Sequence, residues 1–200
     1  MEIAVHSVTH PYLAMLPINL CTQEIMQDRA SLEETFGCIV RGMAYPSNSY
    51  NDAVVTTLKQ CGIAYARTTL ETEQFLIPED WLRLQPTCHH NNPNLMHLAH
   101  SFVQDEKYEA PALFYLWGHS YEFDDNDNWS VIEEFAEYIG NRNEIWYATN
   151  IEIYDYVKAY RQLVFSMNEK IVYNPTDLTV YFQIESRQYC VTPGMNILDN

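Results

Sequence analysis

Five of the seven histidines fall in short polar stretches that directly follow apolar runs. His6 and His10 follow Ile3 to Val5, His89 and His90 follow a predicted strand that begins at Trp81, and His119 follows the run Ala112 to Trp117. Imidazole gains and loses its proton near neutral pH and binds divalent metals in its neutral form. Proton transfer and ion binding are therefore the chemistries these stretches offer. His6 and His10, four residues apart, can face one ion from a single helical turn or a tight loop. The same spacing also suits a paired surface or structural role, and both readings stand at this point. A predicted strand over Cys38 to Ala44 contributes Arg41 and leads to Tyr45.

For those residues to meet, the strands carrying them must lie side by side and point the same way. Apolar periodicity predicts helices over Thr22 to Phe36, Asn51 to Cys61, Pro93 to Val103, Asp127 to Ile139 and Asn150 to Phe165, the first closed by Gly37. Between them, compact apolar runs predict further strands at Ile63 to Arg67, Ala112 to Trp117 and Glu144 to Ala148, with Ala112 to Trp117 buried on both faces. Strand and helix alternate, which is the pattern of an α/β body whose site lies at the carboxyl ends of its strands. After Ser166 the texture changes to short β-like pieces, Ile171 to Tyr173, Thr179 to Ile184 and Tyr189 to Val191, expected to form a small antiparallel appendage. The expected organisation is a body over residues 1–166 with a C-terminal β extension over residues 167–200, packed on the same domain.

Composition removes several partners. Eleven Lys and Arg against 27 Asp and Glu give a net charge of −16, which repels phosphate backbones and anionic lipid. Neither nucleic acid nor a membrane is an expected partner. No apolar run is long enough to span a bilayer, and the first residues do not read as a signal peptide. Five cysteines without a Cys-x-x-Cys pair fit reduced thiols. The chain as given reads as cytoplasmic, an expectation that lapses if a preceding segment is missing.

The motifs resemble those of the polysaccharide deacetylase (NodB-homology) superfamily, carbohydrate esterase family 4. His6-Ser7-Val8-Thr9-His10 is similar to its H-[ST]-x-x-H metal motif. Arg41-Gly42-Met43-Ala44-Tyr45-Pro46 looks like its third motif, and Leu116-Trp117-Gly118-His119 its last. The order holds across residues 1–160, and PTCHHNNPNLM and LWGHSYEF look like one bacterial branch. The resemblance implies a distorted (β/α) barrel that removes acetyl groups from N-acetylated sugars or polysaccharides. It implies His6 and His10 as ligands of zinc or another divalent metal, His119 as general acid, and Arg41 as the partner of a base carboxylate. Tyr45 is expected to line the pocket, and His89, His90, Trp117 and Tyr121 to contact substrate. For His89 and His90, extra metal ligation and an ordinary polar loop stay open beside that role. No G-x-S-x-G elbow supports an unrelated serine hydrolase.

One departure qualifies this. The family's T-F-D-D-G-like motif, source of the base and of the third ligand, has no counterpart before His6, and Asp124-Asp125 lies in a polar loop after the last motif. The expectation is an N-terminally truncated barrel lacking roughly 30 to 50 residues, about one βα unit and a strand. Its metal is then weakly held and its activity impaired, and the exposed edge is covered by a second copy of the chain or closed by local rearrangement. A non-catalytic carbohydrate-binding or assembly subunit is the alternative.

Overall fold

The computed structural model describes residues 1–104, 111–185 and 187–198. Strand β1 (Ala4–Val5) leads into the loop of the first two histidines, and helix α1 (Ile18–Phe36) follows. This helix begins a turn earlier than its periodicity suggests, because Pro17 precedes it with a φ of −53° that is already close to helical. It ends where expected, on Gly37 in the left-handed conformation. Strand β2 (Gly42–Ala44), helix α2 (Asp52–Gln60) and strand β3 (Tyr65–Arg67) complete a three-stranded parallel sheet in the order β1-β2-β3. Asn51 caps α2 by accepting the Val54 N–H. Val5, Ile25, Met43, Tyr45, Val54, Leu58 and Leu82 pack into one buried cluster of sheet and helix residues.

From Trp81 the expected strand is a 3-10 turn, Trp81–Arg83, whose start is fixed by the Asp80 carboxylate on the Leu82 N–H. The chain becomes extended after it. Leu84 bridges Arg67 in parallel, and strand β4 (Cys88–His89) pairs in parallel with β5 (Leu116–Trp117). Helix α3 (Leu95–Gln104) follows the β4 loop, and α4 (Tyr121–Asp125) and α5 (Ser130–Ile139) follow β5. Cys88, Leu95, Leu98, Ala99 and Phe135 form a second buried cluster.

Two predicted strands of the body come out differently. Only Leu116–Trp117 of the Ala112 to Trp117 run is paired, on one side, and the run is half-buried rather than sealed on both faces. Glu144 to Ala148 is not a strand. The Tyr147 hydroxyl instead donates to the Ile139 carbonyl and accepts the Arg142 N–H, leaving Trp146 58% exposed. The body is thus mixed α/β with sheets β1-β2-β3 and β4-β5 among the described residues, and these do not close into a complete barrel.

Two compact units divide the chain, Ile3–Tyr147 on one hand and Met1–Glu2 with Ala148–Asn200 on the other. Helix α6 (Asn150–Arg161), started by a Thr149–Glu152 capping box, therefore belongs with the C-terminal strands rather than with the body. It stops short of Phe165 because Val164 and Phe165 are drawn into a strand. In that unit β6 (Val164–Phe165), β7 (Ile171–Asn174) and β10 (Gly194–Ile197) make one antiparallel sheet, with order β10-β7-β6. Strands β8 (Val180–Ile184) and β9 (Arg187–Val191) make another. Val172, Val191 and Leu198 form its core.

Candidate functional site

Parallel strands put the residues that follow them on one edge of a sheet. His6 follows β1, Arg67 ends β3, His89 ends β4 with His90 directly after it, and His119 lies two residues beyond β5. Side-chain interactions carry the line across. The Arg67 guanidinium acts on His6 and lies over the Trp117 ring at 4.5 Å. Trp117 meets the His89 ring edge-on at 4.4 Å, and the Tyr121 ring lies 5.2 Å from that of His119.

The first loop is built around His6. Its Nδ1–H donates to the Ala44 carbonyl at 2.8 Å, which leaves Nε2 with a free lone pair. The His10 ring stands 4.9 Å away, edge-on. Left-handed backbone at Ser7 and His10 makes the sharp turn that brings the two rings together. Helix α1 pins the loop, with Asp28 accepting the His6 N–H at 2.7 Å and Glu24 accepting both the N–H and the hydroxyl of Thr9. Burial lowers the His6 pKa, aided by His10 and Arg67 and opposed by the Ala44 carbonyl and Asp28. His6 is consequently neutral near pH 7, the form that ligates metal.

The second cluster centres on Glu122, a residue the sequence reading missed. His119 Nδ1 donates to Glu122 Oε1 at 2.7 Å, and Asn91 Nδ2 donates to Oε2 at 3.1 Å. His89 Nε2 and His90 Nε2 lie 3.3 and 3.0 Å from the same Oε2. Burial tends to raise the Glu122 pKa, but the His119 hydrogen bond and the nearby imidazoles outweigh it and hold the carboxyl below its usual range. His89 is lowered by burial and by His90. His90, 3% exposed, sits in a space that exists because residue 118 is glycine: a Cβ there would overlap its ring, and the φ of +157° disfavours any other residue. Beneath His89, burial pushes the Cys88 thiol up to about 12, so it is an inert packing residue.

Two of the expected site residues are placed elsewhere. Arg41 precedes β2, level with the amino end of the sheet and roughly 10 Å of strand from Ala44. Arg67 occupies the edge where an arginine was expected. Tyr45 is 1% exposed and donates its hydroxyl to the Leu82 carbonyl at 2.8 Å, so it is a core residue rather than pocket wall. Burial accordingly raises its pKa. Trp117 has one ring face covered by Arg67, whereas Tyr121 is well exposed.

Residues 1–66 match the family model of polysaccharide deacetylase. Among solved structures the chain is similar to the Streptococcus pyogenes deacetylase PplD, at 27% identity over 33% of this chain and 29% of that one, TM-score 0.33. It is also similar to a CE4 family pseudoenzyme of Bacillus anthracis, at 18% identity over 66% and 40% of the two chains, TM-score 0.38. A mutant CE4 family pseudoenzyme matches at 18% identity over 68% and 43%, TM-score 0.40. The chain spans less than half the length of each. No curated protein matches it.

Polysaccharide deacetylases of the CE4 family generally use a divalent metal. At the first loop the fit is partial: His6 is oriented as a ligand and His10 stands beside it, but Asp28 is turned to the backbone of His6. Among the described residues, the group of three or more side chains able to share an ion is His89, His119 and Glu122, not His6 and His10 with a carboxylate.

Proposed function

We propose that this chain engages N-acetylated sugars or polysaccharides at the carboxyl-end edge as a hydrolase of the deacetylase type, cleaving the amide C–N bond. The observation that supports the reading is that the His6–His10 loop follows parallel strand β1 and the His119–Glu122 pair follows parallel strand β5, with Arg67 acting on His6 and lying over Trp117 between them. His6 and His10 supply two ligands for a divalent metal such as zinc, which would polarise the acetamide carbonyl and acidify a bound water. Glu122 fixes the proton on His119 Nδ1 and stabilises the imidazolium, so that Nε2 can protonate the departing sugar amine. Tyr121, exposed beside His119, offers an aromatic face to the sugar.

A second reading has its own observation: no carboxylate joins His6 and His10 among the described residues, so the edge can bind the sugar without turning it over. Acetate release from N-acetylglucosamine oligomers, measured over a zinc titration that starts below one equivalent, separates the two. The hydrolase reading expects release that falls about 10²- to 10⁴-fold in His119→Ala, with oligomer binding retained. Binding without release in the wild-type chain supports the non-catalytic reading, and release unaffected by His119→Ala sinks the assigned proton donor.

A further inference from the structure

We propose that His89, His119 and Glu122 form a binding site for a divalent transition metal ion, separate from the His6–His10 pair. Their ligand atoms all lie within 4.8 Å of one another. The His89 Nε2 to Glu122 Oε2 distance of 3.3 Å matches the roughly 3.3 Å that tetrahedral ligands keep around a zinc at about 2 Å, and His119 Nδ1, now 2.7 Å from Oε1, would exchange its hydrogen bond for the ion. Two imidazoles and a carboxylate are a donor set that suits zinc and its neighbours.

An independent observation points the same way. His90 Nε2 is buried without a hydrogen bond, although it stands 3.0 Å from Glu122 Oε2. Its ring is buried in the slot that Gly118 leaves open. His89, His90 and the Asn91 amide all face Glu122 Oε2, whose two lone pairs cannot serve three donors, and a cation bound by Glu122 and His89 relieves the crowding by using the His89 nitrogen lone pair in place of an N–H group. Loading moves the His119 proton from Nδ1 to Nε2. On His89 the proton moves from Nε2 to Nδ1, so that Nε2 binds the ion and Nδ1 no longer accepts the Asn91 N–H. An ion there leaves His119 with an Nε2–H that is no longer an imidazolium. Zinc in excess therefore suppresses acetate release, a consequence that rests on His119 being the proton donor.

The test is zinc binding by competition with a chromophoric chelator, using the full chain, with cobalt substitution as a spectroscopic readout. The His6→Ala/His10→Ala double variant is expected to retain one zinc per chain and, with cobalt, the strong visible bands of tetrahedral nitrogen and oxygen ligation. Adding Glu122→Gln should weaken that zinc at least tenfold, and adding His89→Ala should do the same if the Gln variant is poorly folded by circular dichroism. A double variant that binds no zinc, or affinity unchanged by both additions, overturns the proposal. Neither result depends on turnover, so the deacetylase reading stands or falls separately.

Discussion

His6 and His89 illustrate how burial sets the working form of a side chain. Both have their pKa lowered from the ordinary value of 6.5, so the unfolded chain takes up protons first as pH falls. Their contribution to stability is complete above about pH 6.5 and is lost as the pH drops through and below that value. Glu122, lowered from 4.5, adds a loss that begins only below its own unfolded value. Thermal unfolding between pH 7.5 and 5, of the order suited to histidine titration, should show a falling midpoint, with a shallower slope in His6→Ala. A midpoint independent of pH over that range contradicts the burial argument. Glu122 was legible in principle, since it lies three residues after His119, a spacing that makes side chains neighbours at a helix start. Arg67 was legible too, because it ends a predicted strand just as the histidines follow theirs.

At the scale of elements, periodicity and punctuation located most helices because their signals are local. Gly37 and Asn51 show this, each ending or starting a helix through its own backbone or side-chain geometry. Asn51→Ala, which removes the bond to the Val54 N–H, is expected to cost about 1 kcal/mol in denaturant unfolding. A loss within error would mean that α2 is held by packing of Val54 and Leu58 alone. Strands were less legible because they depend on neighbours distant in sequence. Glu144 to Ala148 has the composition of a strand, yet its tyrosine satisfies the local backbone instead. Arg41 was misplaced for a related reason: the run Cys38 to Ala44 does not show that pairing begins only at Gly42.

For the whole molecule, the alternating pattern revealed the mixed α/β class, while closure of a barrel was not there to be found among the described residues. Strand β1 is the terminal strand of its sheet, and Trp146 and Tyr147 are exposed. We propose, as partner, a second copy of the chain covering such surface. Sedimentation velocity at tens of micromolar should then show a dimer that Trp146→Ser weakens, and a monomer at every concentration removes the idea. The central claim is that the His6–His10 loop and the His119–Glu122 pair serve one ligand. Histidine ring resonances followed by NMR during titration with an N-acetylglucosamine oligomer in the presence of zinc test it most directly. The account predicts that the signals of His6 and His119 shift together, with a single midpoint. Shifts confined to one of the two, or absent from both at saturating sugar, would contradict it.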